Sequence, residues 1–182
     1  GTAQLDDAVA APGSRASLSL FSGAPGNAFT QSGVERAWTG HTRPSRLRFH
    51  VRLAERQLAK AFVLLCQPDG GDDGEHVAVW LYCSGNERRH TAEQGRIGLL
   101  GQDGFFLSTP YEADRWHEVE VYLDWTRKSL RLAVDGVVVV EDGGGENEVS
   151  FRDRSVDGVS VLRLCNKDVA QVWFDSVSLS DD

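Results

Sequence analysis

The sequence predicts an all-β protein made of antiparallel strands in layers, and three observations support this prediction. About ten short segments along the 182 residues are apolar or alternate between apolar and polar side chains. Turn residues separate these segments, and many of the 19 glycines lie in these predicted turns. No segment of ordinary helical length repeats its apolar residues every three to four positions. Short strands with turns between them are typical of a β-sandwich or a β-barrel.

The stretch from Trp116 to Val140 shows the strand pattern most clearly. Glu118 and Glu120 alternate with valines, which places carboxylates on one face of a strand and apolar groups on the other. Asp135-Gly136 lies between two apolar runs and predicts a two-residue hairpin, because that turn needs positive φ at both central residues. The stretch therefore predicts three consecutive antiparallel strands with one solvated face.

The other strands are predicted in chain order on the same grounds. Residues 45–53 alternate most regularly, and residues 61–67 are apolar on both faces, which is typical of a buried strand. Phe29 and Trp38 are expected to fill the core from an irregular segment rich in glycine. Beyond the central stretch, the predicted strands are residues 16–21, 45–53, 61–67, 76–83, 96–100, 104–108, 158–164 and 169–179.

The length and composition indicate one folded domain. A chain of 182 residues can bury one core of ordinary size, and 41% hydrophobic with 25% charged residues is typical of a globular protein. Residues 1–16 show no periodicity and are expected to form a flexible N-terminal leader. The domain is then expected to span residues 17–182, and the chain is compatible with one domain of a longer protein.

The charge argues against two classes of partner. A formal net charge of −8 repels a nucleic-acid backbone and an anionic membrane surface. No apolar stretch approaches membrane-spanning length, so we expect no membrane insertion. No basic region followed by an apolar one marks a signal peptide.

The three cysteines are predicted to be free. Cys66, Cys83 and Cys165 each lie in an apolar, strand-like run, and an odd number cannot form a fully paired framework. Buried free thiols behave as small hydrophobic groups. This usage favours a reducing, intracellular compartment, although one disulfide with one free thiol stays an alternative.

Three short motifs occupy strand and turn positions. They are Trp116-His117, Val134-Asp135-Gly136 and the closing segment Trp173-Phe174-Asp175-Ser176-Val177. With the order of the strands before them, they resemble the laminin-G-like branch of the concanavalin A-like lectin/glucanase superfamily. The resemblance implies a two-sheet antiparallel jelly-roll β-sandwich with a concave and a convex face. It also implies binding of glycans, proteins or lipids, often beside calcium, while some relatives are glycoside hydrolases.

The chain departs from the family at the residues that carry chemistry. The hydrolase branch has an E-x-D-x-x-E strand, whereas Glu118, Glu120 and Asp124 follow a different spacing. The galectin signature of His, Asn and Arg with a downstream Trp is absent, as is the legume-lectin metal cluster. No nucleophile-elbow motif frames a catalytic triad. We therefore predict no catalytic residue and no enzymatic activity.

The segment from Arg46 to Arg52 carries a basic ladder, because Arg46, Arg48, His50 and Arg52 alternate with apolar residues. Such a ladder could bind an acidic glycan or an acidic peptide. Alternatively, it could form ion pairs with the Glu118 and Glu120 row across neighbouring strands.

Two aromatic residues are candidates for stacking on a sugar ring. Trp80 and Tyr82 lie on one face of their predicted strand, where they could equally pack in a core. They complete a set of predicted ligand contacts that could share the concave face. The set is Arg48, His50, Arg52, Trp80, Tyr82, Glu120 and Tyr122.

Acidic residues in the loop from Pro68 to Glu75 are candidates for a calcium site, with Asp72 and Asp73 as the predicted ligands. Their spacing matches no EF-hand, so a solvated loop is the alternative, and no other cofactor is expected. His117 is predicted to be structural, and Asp175 is predicted to accept hydrogen bonds from a loop backbone.

These observations favour a non-catalytic recognition module that binds a glycan or a protein partner through a sheet face or a loop rim. The first alternative is a protein–protein interaction or oligomerisation domain within a larger intracellular assembly. The second is a glycan-active hydrolase with a divergent site, and the missing carboxylate motif weighs against it.

Overall fold

The described part of the chain consists of β-strands joined by turns. The computed structural model describes residues 2–21, 33–54, 60–70, 74–84, 95–141, 145–167 and 169–181. Within these ranges the chain forms no helix and fourteen strands. They are β1 (Thr2–Asp6), β2 (Ser17–Phe21), β3 (Gly33–Thr42), β4 (Arg46–Leu53), β5 (Lys60–Cys66), β6 (Val77–Ser84), β7 (Arg96–Leu100), β8 (Phe106–Pro110), β9 (Trp116–Asp124), β10 (Ser129–Val134), β11 (Val137–Val138), β12 (Val149–Ser150), β13 (Val159–Asn166) and β14 (Val172–Ser180).

The strands form two antiparallel sheets, which confirms the predicted fold class. Sheet 1 has the order β1-β2-β14-β4-β9-β10-β11, and β12 also pairs with β10. Sheet 2 has the order β3-β13-β5-β6-β7-β8. Because strands next to each other in the chain often lie in different sheets, the connections cross between the two layers, as in a jelly roll.

The main core lies between the sheets and follows from the alternation in the sequence. Leu47, Phe49 and Val51 point inward from β4, and Val119 and Val121 point inward from β9. Sheet 2 contributes Val63, Leu65, Leu81 and Leu99 among others. Strand β5 is buried on both faces, since Phe62, Leu64 and Cys66 belong to a second apolar cluster on its other side.

The predicted Asp135-Gly136 hairpin joins β10 to β11. The two residues have φ of 52° and 77°, so both adopt the left-handed conformation that this turn requires. The Asp135 carboxylate also accepts a hydrogen bond from the backbone N–H of Glu118 at 3.0 Å. The turn is therefore tied directly to the neighbouring strand β9.

Two segments differ from the sequence predictions. Thr2–Asp6, within the predicted leader, forms edge strand β1 and pairs with β2. Trp38 lies in edge strand β3 and packs against the main core, whereas an irregular segment was predicted there. Both strands are mostly exposed, so neither shows the apolar alternation that revealed the others. Phe29 lies outside the described residues. No helix in the described ranges is long and apolar enough to cross a bilayer.

Candidate functional site

The basic ladder on β4 lies on the outer face of sheet 1, beside the polar face of β9. Antiparallel pairing places Arg48 opposite Glu120 and His50 opposite Glu118. At one end of β4, Arg46 lies opposite Tyr122, whose partner on β10 is Arg131. The face therefore consists of rows of side chains that run across three strands.

Ion pairs join the middle rows of this face. Arg48 contacts Glu118 through Nη2, and its Nε lies 3.7 Å from Oε1 of Glu120. Arg46 donates a hydrogen bond from Nη2 to the same Oε1. The Tyr122 hydroxyl donates to Oε2 of Glu120 at 3.0 Å. The ladder thus forms the cross-strand ion pairs that were the alternative to ligand binding.

These contacts set the ionisation of Glu120 and Tyr122. Partial burial opposes the charged form of Glu120, but hydrogen bonds from Arg46 and Tyr122 and the charges of Arg46 and Arg48 outweigh it and lower the pKa of that carboxyl. Burial, followed by the hydrogen bond to Glu120 and its charge, raises the pKa of Tyr122. At neutral pH the pair is a carboxylate and a phenol.

A cleft of about 560 Å³ opens at the Tyr122 end of the face. Two guanidinium groups lie over the Tyr122 ring, Arg46 at 5.4 Å and Arg131 at 5.7 Å from the ring centroid. An aromatic ring beside two such forks offers apolar contact and hydrogen bonding together. The cleft is lined by Ser45, Arg46, Tyr122, Leu123, Asp124, Trp125, Arg127, Ser129, Arg131 and Glu148.

The other charged groups of the cleft are engaged with each other. Arg127 and Glu148 form a bidentate pair, with N–O distances of 3.0 and 3.1 Å. Asp124 accepts the backbone N–H groups of Thr126 and Arg127 at 2.9 Å, which caps the β9–β10 turn. Arg131 is exposed and forms no ion pair with the residues that the structure describes.

Trp125 is one of the residues that line the cleft. Its indole N–H donates to the Pro44 carbonyl at 2.8 Å, and its ring packs edge-on against Phe151 at 5.0 Å. The Lys128 ammonium lies 5.4 Å from the ring centroid. These contacts fix the indole in one position beside the cleft.

The opposite end of the ladder is also tied to its own sheet. The Arg52 guanidinium lies 5.3 Å from the Trp173 ring centroid and 3.2 Å from Oδ1 of Asp114. Trp173 donates its indole N–H to Asp6 of β1 at 2.8 Å, which anchors the N-terminal strand. His50 lies between Glu118 of β9 and Asp175 of β14 in the strand register.

Trp80 and Tyr82 do not share a face with the other predicted ligand contacts, so the expected single site is wrong. Both residues lie on β6 in sheet 2, whereas the other five lie on β4 and β9 in sheet 1. Only 8% of Trp80 and 7% of Tyr82 is exposed, so neither ring is open for stacking on a sugar. Strand pairing decides this division, and a single sequence does not reveal it.

The two rings belong to an aromatic cluster on the outer face of sheet 2. Tyr82 stacks on Phe62 at 5.8 Å and contacts Phe106 at 4.6 Å between ring centroids. The Arg152 guanidinium lies 5.5 Å from the Trp80 ring. Gly98 makes room for the cluster, because a Cβ there would lie 2.5 Å from the Phe106 ring.

His117 and Asp175 have the structural roles that were predicted. Nδ1 of His117 lies 2.9 Å from Oδ2 of Asp135, and Nε2 lies 3.1 Å from the Glu112 carbonyl oxygen. Both ring nitrogens are therefore engaged within the fold. Asp175 accepts the backbone N–H of Ala11 at 3.0 Å, which holds the segment between β1 and β2.

The predicted calcium ligands Asp72 and Asp73 lie outside the described residues, so the calcium site stays a prediction. Nearby, Oδ2 of Asp69 lies 2.7 Å from Nδ1 of His76. Across the described ranges, no group of three or more His, Cys, Asp or Glu side chains could hold a metal ion.

The three cysteines are free and buried, as predicted. Desolvation raises the pKa of Cys66 to about 11 and also raises the pKa of Cys83. Thiols in this state react poorly, because the thiolate is the nucleophile.

The sequence prediction missed two residues of the cleft. Alternation along the strands places Arg131 on an outward face and Trp125 among the apolar positions, but it assigns neither residue to a site. Both lie in the cleft because β10 pairs with β9 and the β9–β10 turn folds beside β4. The alternation of apolar and polar residues predicts that Arg131 points outward. Only the pairing of β10 with β9 shows that its neighbour is Tyr122.

Comparison with known proteins was informative only at the level of structure. No family model matches the chain, and no curated protein matches its sequence. Among solved structures, a sialidase superposes with a TM-score of 0.59 and 12% identity over 91% of this chain. An alginate lyase from Alteromonas sp. 272 has a TM-score of 0.53 with 8% identity, covering 98% of this chain and 93% of its own. A tetrameric galectin from Cinachyrella sp. has a TM-score of 0.52 with 12% identity, covering 81% and 99%.

These likenesses establish the fold. The chain has a two-sheet antiparallel jelly-roll fold like that of these structures, as the resemblance implied. It spans 15% of the sialidase chain, but nearly the whole of the lyase and of the galectin. The fold supports both lectins and enzymes, and the laminin-G-like branch in particular stays a prediction. Function must therefore be argued from the site itself.

Proposed function

We propose that this chain is a non-catalytic glycan-recognition module and that the glycan binds in the Tyr122 cleft. The observation that carries the proposal is the Tyr122 ring with the Arg46 and Arg131 guanidinium groups over it, in a cleft of about 560 Å³. A sugar ring can pack its C–H face on an aromatic side chain, while guanidinium N–H groups donate to its oxygens. Lectins among the structural neighbours add support.

The preorganisation of the cleft supports recognition. Hydrogen bonds and stacking hold Tyr122, Arg46 and Trp125 in place. Side chains that are already fixed lose little conformational entropy when a ligand binds. The rim residues stand on strands and a capped turn, which gives the cleft a defined shape.

The contacts of the two carboxylates on the sheet 1 face, Glu118 and Glu120, support a non-catalytic role. Glycoside hydrolysis needs one carboxylic acid with a raised pKa to protonate the leaving group. On this face, the pKa of Glu120 is lowered instead, and Glu118 is paired with Arg48. Glu120 is therefore not arranged to donate a proton at neutral pH.

The proposal is tested by glycan-array screening, followed by titration calorimetry with the best oligosaccharide. Tyr122→Ala removes the ring and is expected to weaken binding about tenfold or more, equivalent to about 1.4 kcal/mol. Tyr122→Phe keeps the ring and is expected to retain most of the affinity. Trp80→Ala, on the other sheet, serves as the control for general disturbance of the fold.

Two outcomes would contradict the proposal. The first is an array with no bound glycan, and the second is unchanged affinity in Tyr122→Ala. Cleavage of the bound oligosaccharide, detected as new chain ends, would contradict only the proposal that the module is non-catalytic. In that case Glu118→Gln and Glu120→Gln would show whether these carboxylates carry the activity.

A protein contact is the second candidate, because one edge of sheet 1 exposes apolar side chains. Val137, Val138 and Val140 are 68%, 48% and 50% exposed. Exposed apolar groups next to one another favour contact with another protein surface. Sedimentation analysis of the wild type and of Val138→Lys tests this candidate, since self-association through this edge would be lost in the variant.

A further inference from the structure

We propose that the cleft selects an anionic group on the glycan, a carboxylate or a sulfate, and that Arg131 is the residue that binds it. This inference rests on the proposed function. It adds the chemical class of the ligand and assigns the specificity to one side chain outside the predicted set of ligand contacts.

The charges around the cleft single out Arg131. Four other arginines of this face each have a carboxylate partner. They are Arg46 with Glu120, Arg48 with Glu118, Arg52 with Asp114 and Arg127 with Glu148. Arg131 has no such partner among the residues that the structure describes, so its guanidinium is the one in the described part of the cleft that no carboxylate contacts directly.

The carboxylates near the cleft are each engaged by groups other than Arg131. Glu148 is neutralised by the bidentate contact with Arg127. Asp124 accepts two backbone N–H groups of the turn. Glu120 is covered by Arg46, Arg48 and Tyr122. Arg131 therefore offers an anion a guanidinium that no described carboxylate contacts, in a chain whose total charge is −8.

The position of Arg131 suits recognition of a planar or tetrahedral anion. Its guanidinium packs 5.7 Å from the Tyr122 ring centroid, which restricts the side chain while it stays exposed to solvent. The guanidinium fork matches two oxygens of a carboxylate or a sulfate, and it keeps its proton at every physiological pH. A sugar in the cleft beside Tyr122 would bring one of its substituents within reach of that fork.

The test compares matched pairs of oligosaccharides. An oligogalacturonate is titrated beside its methyl ester, and a sulfated galactan oligomer beside its desulfated form. We expect the wild type to bind at least one acidic form about tenfold more tightly than its neutral counterpart at low salt, since one charge-assisted contact has about that effect. The pair that shows the preference identifies the anion as a carboxylate or a sulfate.

Variants assign the preference to Arg131. In Arg131→Gln the acidic form is expected to bind no more than about twice as tightly as the neutral form, while affinity for the neutral form is unchanged. Arg131→Lys is expected to keep part of the preference, because a point charge lacks the bidentate geometry. Arg154→Gln removes an exposed arginine away from the cleft and is the control. Thermal melts check that every variant is folded.

The outcomes separate this inference from the proposed function. Equal affinity for acidic and neutral forms, lost in Tyr122→Ala, overturns the anion selectivity and leaves glycan binding in place. A preference that persists in Arg131→Gln overturns the assignment to Arg131. Failure of every oligosaccharide to bind overturns the proposed function, and the inference with it.

Discussion

Glu120 is the residue on which the polar contacts of the sheet 1 face converge. Arg46, Arg48 and Tyr122 all reach its carboxylate, and together they lower its pKa. A carboxyl with a lower pKa in the folded than in the unfolded chain stabilises the fold above the unfolded value. That contribution is lost as the pH falls through the folded pKa. The network therefore links the stability of this face to pH in a definite direction.

Glu120→Gln is expected to lower the free energy of unfolding at pH 7 by about 1 kcal/mol, because charge-assisted hydrogen bonds become neutral ones on a partly solvated surface. The difference from the wild type should shrink below pH of about 4.3, the ordinary glutamate pKa. Urea unfolding between pH 7 and pH 3 measures both effects. Glu146→Gln, at an exposed position, is the control for loss of one charge. A difference that stays constant down to pH 3 would contradict the network.

Strand β7 contains a glycine, Gly98, whose lack of a side chain leaves room for a neighbouring aromatic ring. Gly98 lies between Tyr82 of β6 and Ser108 of β8 in the strand register. The Phe106 ring occupies the space that a side chain at Gly98 would fill, and it reaches Tyr82 from there. The aromatic cluster on sheet 2 therefore depends on a glycine whose role is packing, since its φ is not in the left-handed range.

Gly98→Ala is expected to lower the free energy of unfolding by about 1–3 kcal/mol, because its Cβ would overlap the Phe106 ring. Phe106→Leu replaces that ring with a smaller side chain. Gly98→Ala should therefore lower the free energy of unfolding by less in the Phe106→Leu background than in the wild type. Part of the cost should remain, since Ser108 Cβ lies 2.6 Å from the same position. Denaturant unfolding of the wild type, the two single variants and the double variant gives the double-mutant cycle. Equal costs in both backgrounds would show that Phe106 is not the obstacle.

The sequence predicts elements well where one face of a strand is buried. Alternation located β4 and β9 closely, because their inward side chains form the main core. It failed for edge strands β1 and β3, where both faces are largely exposed. Strict alternation would also place Val77 on the face opposite Trp80, but the two share a cluster because the register shifts between Leu65 and Cys66. A bulge of this kind leaves no mark in the apolar pattern.

At the scale of the whole molecule, the sandwich shields all three thiols. Cys83 lies in the core between the sheets, while Cys66 and Cys165 belong to the cluster on the outer face of sheet 2. Desolvation raises the pKa of Cys66 to about 11, so very little thiolate forms at neutral pH. Reaction of these thiols therefore requires the fold to open.

Thiol titration with Ellman's reagent is expected to give no fast-reacting group in the native protein at pH 8. Three equivalents should react once the chain is unfolded in urea, at a rate set by unfolding when the reagent is in excess. A matched reaction with free cysteine calibrates the rate of an open thiol. Rapid native labelling would contradict the burial, and fewer than three equivalents would reveal a disulfide.

The fold class and most strands were predictable from the sequence, whereas the candidate site was predictable only in part. The charged and aromatic residues of β4 and β9 were identified, and their outward direction follows from alternation. The cleft was not predicted, because it forms where Arg46, Trp125 and Arg131 meet from separate segments. Strand pairing brings such residues together, and the local alternation of apolar and polar residues carries no information about which strands pair.

Trp125 has a consequence for how ligand binding can be followed. The other four tryptophans lie outside the cleft, on β3, on β6 and at the far end of the sheet 1 face. Only the Trp125 indole borders the cleft, and the Pro44 contact keeps it still. An arriving sugar would displace water next to this ring and alter its emission. The chain therefore carries a built-in optical reporter, and titrations can proceed without any attached dye.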